Sequence, residues 1–451
     1  MTGKLQRSAS ARGVRAGFVL LASLVLLAAC AEDDFILPGV REDIRPAPEA
    51  SEPDTTSEQT NESRAISLGA QTRNTEWPQG YGTPAFRTDH PALSTRPQLA
   101  WSTDIGAGDS RRTRITATPV VGAGRIYTLD AETTVTAVSP AGAVIWQKDV
   151  SSVRAEGDEA TGGGLAFAEG RLFVTLGVGE LVALDAASGT EIWRQKLSST
   201  ASGPPVVANG LVYLVSGDET GWAISAENGR VQWSLIASPA PSNVLGAPAP
   251  AISSDLAVFA FGSGEIQAVF RRGGLRRWDA SVAGERPGAA VSKISDVTGA
   301  PVIDGNTLYA GNQSGRTVAL DLASGSRRWT APDGATGPIV PGGDSVFFVS
   351  DASRLLRVDA GDGSRIWSVD LPRFVKDKPR RRNEIFVHHG PVVAGGRVHI
   401  ASNDGVLRSY DPVDGAQTAS VEIPGGASTD PVVAGATLYV VSTSGQLLAF
   451  R

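Results

Sequence analysis

Cys30 is the only thiol in 451 residues, and its setting decides what chemistry it can do. It closes an apolar run from Phe18 to Ala29 that is preceded by Lys4, Arg7, Arg12 and Arg15. That run is too short to span a bilayer and has the layout of an export signal. Small residues at Ala28 and Ala29 leave the bond before Cys30 open to a peptidase. Elsewhere the reactive side chains are scattered. His388-His389 invites a metal, but adjacent residues on a strand point to opposite faces and do not readily share one ion. A single cysteine excludes both a Cys-based metal site and a disulfide. Gly162-Gly163-Gly164 reads as turns rather than a phosphate-binding loop. The basic run Lys376, Lys378, Arg380, Arg381 and Arg382, interrupted by Asp377 and Pro379, suits an acidic partner or lipid headgroups, or stands as a solvated loop. No nucleophile, base and orienting group can be placed together, so no enzyme activity, cofactor or metal is expected.

The elements that position these residues begin with the leader. Leu27-Ala28-Ala29-Cys30 resembles the lipobox of bacterial lipoproteins, and Ala31 at the next position resembles default sorting to the outer membrane. The expectation is a signal peptide over 1–29, lipid on Cys30, and attachment to the periplasmic face of that membrane. Residues 31–76 hold eleven acids and four arginines, with many Pro, Ser and Thr and few apolar side chains. Such a segment cannot bury enough surface to offset its ordering entropy. Residues 30–76 are therefore expected as the lipidated cysteine and a disordered acidic tether, and 77–95 as a lead-in. The precursor carries a formal charge of −6 and residues 77–451 about −3, which gives no footprint for nucleic acid.

From residue 96 the chain repeats. A glycine is followed four residues later by tryptophan at Gly142/Trp146, Gly189/Trp193, Gly229/Trp233, Gly274/Trp278, Gly325/Trp329 and Gly363/Trp367, while Gly415 is followed by Ala419. Successive landmarks lie 38 to 52 residues apart, the period of four-stranded propeller blades. Within a unit, short β-branched and aromatic runs such as Thr307-Leu308-Tyr309-Ala310 alternate with Gly, Asn, Asp and Ser turns, the pattern of antiparallel hairpins. The last unit starts at Pro431 and stops three strands in, at Phe450-Arg451. Leu99-Ala100-Trp101-Ser102-Thr103-Asp104 has the tryptophan strand alone. Pairing the two ends would close the ring and remove a free sheet edge. The expected fold class is all-β: an eight-bladed β-propeller over 96–451.

The segment Ala183 to Trp193 and its copies at Ala319 to Trp329 and Val358 to Trp367 resemble the tryptophan-docking repeat of the pyrroloquinoline-quinone-like propellers. That resemblance implies indoles packed between blades, and it fixes fold more firmly than function. Two functional classes share the fold. Quinoprotein dehydrogenases hold quinone and calcium in a central funnel, and the sequence offers no compact cluster of Asp, Glu and Asn for a hard cation. Together the lipobox, the eight units and the chain length resemble the BamB family of outer-membrane β-barrel assembly lipoproteins. Membership implies a scaffold that docks on the POTRA repeats of the barrel-forming subunit. The resemblance implies one contact at Ser295, Asp296 and Thr298, where Thr298 departs from a second acid, and another at Val244 and Leu245, where Leu245 replaces an arginine. It also leaves blade edges open to unfolded outer-membrane protein precursors. A quinone-dependent dehydrogenase and an envelope binding module for another partner are the alternatives.

Overall fold

The computed structural model describes residues 60–151, 162–197, 199, 203–239, 247–282 and 296–451. Among them the strands form eight four-stranded antiparallel sheets. Seven are sequential meanders: Val120–Asp149, Gly163–Lys196, Val206–Ile236, Ala251–Ser281, Gly299–Ala331, Val340–Asp370 and His388–Glu422, here blades 1 to 7. Blade 8 joins Val432–Phe450 to Leu99–Asp104, with Leu99 opposite Phe450 and Asp104 opposite Gln446. The expected closure is therefore present, and it pairs the termini within one sheet. First strands of successive blades touch one another, as between blades 1 and 2 or 3 and 4, so the first strand is innermost and the tryptophan strand is the rim.

Each blade carries a row of three residues from its second strand to its rim. Tyr127, Ala137 and Trp146 make this row in blade 1, and Phe173, Ala183 and Trp193 make it in blade 2. The alanine leaves room for the indole to lie near the aromatic ring, at 6.0 Å in blade 1 and 5.9 Å in blade 2. The indole N–H then donates to a backbone carbonyl of the next blade. Trp101 donates to Pro140, Trp146 to Ala186, Trp193 to Ala226, Trp233 to Arg271, Trp278 to Leu322, Trp329 to Ala360 and Trp367 to Pro412, at 2.8–3.3 Å.

The same contacts explain the repeat's glycines. A Cβ on Gly142 would lie 2.9 Å from the Trp101 ring, and one on Gly363 would lie 2.6 Å from Trp329. Each glycine therefore serves the tryptophan of the preceding blade, not the one four residues later in its own. This shift by one blade accounts for the irregular seventh unit. Gly415 is present because Trp367 packs on it. Ala419 replaces tryptophan because its indole would point at blade 8, where the turn that should carry glycine and carbonyl is the gap between the chain's two ends.

Part of the expected tether belongs to the fold. From residue 60 the segment expected as free tether is packed on the ring: Ile66 and Leu68 lie against the cluster containing Phe347 and Trp367, and Arg64 pairs with Asp344 and Asp359 at 2.9 and 2.7 Å. Residues 77–95 are likewise part of the fold, with Trp77 and Phe86 buried.

Candidate docking surface

An antiparallel meander sorts its connections between two faces. Turns joining strands one to two and three to four lie on one face. Turns joining two to three lie on the other, together with every crossover between blades. The implied contact residues all fall in crossovers of this second face, at 237–250 between blades 3 and 4 and at 282–298 between blades 4 and 5. Cys30, Val244, Leu245 and Ser295 lie outside the described residues. Asp296 and Thr298 are described, and neither side chain stands out as a free probe. Asp296 is 3% exposed, and its carbonyl accepts the Gln313 N–H at 3.4 Å. Val297 is fully buried, and the Thr298 hydroxyl donates to the Ala335 carbonyl at 2.6 Å. The three residues anchor the end of the crossover as it enters blade 5. The Asp296 side chain is buried where the loop joins blade 5. Sequence alone could not show this, since a buried and an exposed aspartate in a loop look alike.

The opposite face carries an element that the sequence reading missed. Residues 64–93 run round the inner rim as a collar, meeting the blades almost in ring order. Arg64 and Ala65 meet blade 6 through Arg357. The Asn74 amide donates to Val433 of blade 8, and Gly435 of that blade donates back to the Asn74 carbonyl. Trp77 bridges Val121 of blade 1. The Pro78 carbonyl takes the Phe167 N–H of blade 2, and the Gln79 side chain forms two bonds with the Val207 backbone of blade 3. Pro84 and Ala85 accept from Ile252 and Ile303 of blades 4 and 5. Pro91 accepts from Gly395 of blade 7, and the collar closes on itself where Thr72 bridges Pro91. It thereby satisfies inner-strand donors that would otherwise face the channel unpaired. Its bonds come singly, one or two per blade, so the segment carries no strand or helix period to read.

The polar groups inside the ring are tied up structurally. His399 is fully buried, with its ring nitrogens 2.9 Å from Ser409 Oγ and 3.1 Å from the Ala394 carbonyl. His388 bonds Ser402 Oγ and the Pro372 carbonyl at 2.7 and 2.8 Å. His389 points elsewhere, its Nδ1 3.9 Å from Asp430, whose Oδ1 accepts the Gly390 N–H at 2.8 Å. Burial pushes His389 and His399 down to about 4 and Asp430 up to about 6. Imidazoles whose two nitrogens are already bonded to the fold are poorly placed as general bases. Among the described residues no three His, Cys, Asp or Glu side chains gather in a form that could hold a metal ion.

A family model described as outer membrane protein assembly factor BamB matches residues 131–369 and 357–451. The outer membrane protein assembly factor BamB of Bordetella pertussis is 26% identical over 353 residues, covering 77% of this chain and 84% of that protein. Among solved structures, BamB from Moraxella catarrhalis superposes with a TM-score of 0.64 at 18% identity, covering 79% of this chain and 99% of that one. A europium-containing methanol dehydrogenase superposes at 0.61 with 16% identity, covering 84% and 98%. At these identities the two structural likenesses show the propeller fold alone.

Proposed function

The chain belongs to the outer membrane protein assembly factor BamB family, and from that membership we propose that it is a non-catalytic scaffold lipoprotein of outer-membrane β-barrel assembly. The observation that carries this reading is the family match, which spans blades 2 to 7 whole and parts of blades 1 and 8. A europium-containing methanol dehydrogenase has the same fold, so architecture alone does not choose between the readings. The histidines favour the scaffold, because His388 and His399 spend both ring nitrogens on holding blade 7 together.

In this reading the leader is removed, Cys30 receives the lipid, and the ring is held at the periplasmic face of the outer membrane. The crossovers bearing Val244 and Leu245 and Ser295, Asp296 and Thr298 dock on POTRA repeats of the barrel-forming subunit, with Asp296 and Thr298 at the base of the second loop. Val244 and Leu245 would supply an apolar anchor, since interface energy concentrates in a few desolvated side chains. Docking orients the repeats to receive unfolded barrel precursors. Affinity purification from solubilised envelopes tests the proposal, and recovery without the barrel-forming subunit would refute it. Leu245→Asp should reduce co-purification at least tenfold while leaving the thermal transition unchanged. Mass measurement of the N-terminal peptide tests lipidation of Cys30 separately.

A further inference from the structure

The crossover between blades 6 and 7 is described throughout and carries a hairpin of its own. Residues 372–387 form a projecting hairpin: Phe374 bridges Ile385, the Val375 N–H donates to Glu384 and the Phe386 N–H to Arg373. Its tip is a short 3-10 turn over Pro379–Arg381. Arg373, Lys376, Lys378, Arg380, Arg381 and Arg382 stand on it with only Asp377 and Glu384 as acids, a net of +4 on a ring whose remainder carries about −7. Of the six cations, Arg382 alone is in an ion pair among the described residues, with Asp377 at 3.0 Å. The guanidinium groups of Arg373 and Arg382 lie 5.3 and 4.8 Å from the centre of the Phe374 ring, which holds part of the charge in place. Beside the charges, Val375, Ile385 and Val387 are exposed by 38%, 53% and 47%.

Where the chain enters the fold says what this hairpin faces. Residues 61 and 62 run along the rim strand of blade 6. The Glu62 N–H donates to the Ile366 carbonyl, and the Asn61 amide exchanges two hydrogen bonds with the Ser368 backbone, each 2.9 Å. Followed toward the N-terminus, the chain therefore climbs from Ile366 to Ser368, toward the hairpin's start at Pro372. Four residues of strand separate Ser368 from that point, on the order of 13 Å. The described chain at Thr60 and Asn61, on the side toward Cys30 in sequence, thus lies on the edge of blade 6 that leads to this strongly basic hairpin. We propose that the hairpin is a second membrane contact, binding the headgroups of anionic phospholipid with its cations and resting Val375, Ile385 and Val387 against the interface. The physics is that of a polybasic segment supplementing a lipid anchor: attraction summed over several cations and a modest apolar contact, weakened by salt. The inference rests on the reading that Cys30 brings the chain to a membrane.

The test uses the mature chain from residue 30 with Cys30→Ser, so its outcome does not depend on whether the cysteine is lipidated. Flotation with vesicles of phosphatidylethanolamine and phosphatidylglycerol is compared with phosphatidylcholine alone, at low and physiological salt. The expected result is binding to the anionic vesicles only, falling with salt. The variant Lys376→Glu/Lys378→Glu/Arg380→Glu/Arg381→Glu should lose on the order of tenfold or more. These side chains are exposed, and an unchanged circular dichroism spectrum confirms folding. Arg380→Lys/Arg381→Lys should bind like the parent, because a lipid surface reads point charge, whereas a protein carboxylate site would discriminate against lysine. Equal binding to phosphatidylcholine, or no loss on charge reversal, overturns the proposal. So does a charge-reversed chain that loses an acidic protein from envelope extracts while the parent ignores every vesicle.

Discussion

Arg357 stands where six other blades have alanine. Opposite the rim tryptophan the residues are Ala137, Ala183, Ala223, Ala268, Ala319 and Ala449, and in blade 6 alone the position is an arginine, with zero exposure. Judged by the repeat, Arg357→Ala restores the common pattern and should be harmless. The structure predicts the reverse. The Arg357 guanidinium donates to Ser345 Oγ at 2.8 Å, to the Arg64 carbonyl of the collar at 2.6 Å and to the Pro412 carbonyl of blade 7 at 3.0 Å, and it lies 3.3 Å from Asp344. Removing it strands the Arg64 carbonyl of the collar, at about 1–3 kcal/mol where water cannot reach it, and takes a second donor from the Pro412 carbonyl, which keeps the Trp367 indole. Breaking a buried charged network typically costs about 3–5 kcal/mol, and we expect Arg357→Ala to fall in that range. Urea unfolding of the mature chain with Cys30→Ser measures it. A second chain starting at residue 69 lacks the Arg64 and Ala65 carbonyls, and there the arginine is a poorly compensated buried charge. In that background Arg357→Ala should cost at least 2 kcal/mol less, in line with coupling seen between residues of one network (about 0.5–3 kcal/mol). A loss below about 1 kcal/mol in the full chain, or additivity between the two changes, would refute the role assigned to Arg357.

Three further outcomes follow from the same contacts. Gly210 and Gly363 share a φ of +75°, but an added Cβ meets nothing within 4 Å at Gly210 and lies 2.6 Å from Trp329 at Gly363. Gly210→Ala should cost about 1 kcal/mol for backbone strain, and Gly363→Ala about 1–3 kcal/mol more for the collision; equal urea midpoints would dissociate that glycine from the indole. Ala419→Trp, which completes the repeat pattern, should lower the melting temperature, because no glycine of blade 8 receives the ring. Acid sensitivity has opposed contributions. His389 and His399, held near 4, bind protons less readily folded than unfolded, so stability falls as pH drops from about 6.5 to 4, by about 3 kcal/mol for each. Asp430, raised to about 6, binds its proton more readily folded and offsets about one histidine over the same window. Asp430→Asn keeps an acceptor for Gly390 and removes that offset, so its stability should drop more steeply than the parent's between pH 6.5 and 4.5; parallel urea profiles would contradict the assignment.

Fold class and closure were legible because they depend on periodic features. The spacing of Gly and Trp gives blade count, and the unmatched strands at Trp101 and Phe450 give the shared blade. What was illegible depends on contacts that skip along the chain. The glycine and tryptophan four residues apart look like partners, and only the packing shows Gly189 beneath Trp146. Alanine gives way to Arg357 in blade 6 as it does to Ser409 in blade 7, with nothing nearby to say that the Arg64 carbonyl waits 2.6 Å away. The collar was read as tether and lead-in because each blade holds it by isolated bonds to Pro, Gln and Asn, residues that look like loop. For the docking crossovers, the burial of Asp296, which is 3% exposed, was not legible, because a loop aspartate looks the same in sequence whether buried or exposed.

The irregular seventh unit and the missed collar belong to one design. Six junctions between consecutive blades 1 to 7 and the junction from 8 to 1 are each fastened by an indole; the junction from blade 7 to blade 8 has none, since Ala419 occupies the position. That is also the junction beside the chain's ends, where opening would be easiest. The collar compensates at this place. It crosses blade 8 through Asn74, returns over blade 7 through His90 and Pro91, and joins itself between them at Thr72 and Pro91. His399, Ser409 and Ala419 replace the aromatic, alanine and tryptophan row within blade 7, with a hydrogen bond where other blades use ring contact. A ring closed only by rim tryptophans would have one unfastened seam. With the collar, the seam is held from the inner rim by residues 72–93, so a segment outside the repeats completes what the repeats leave open.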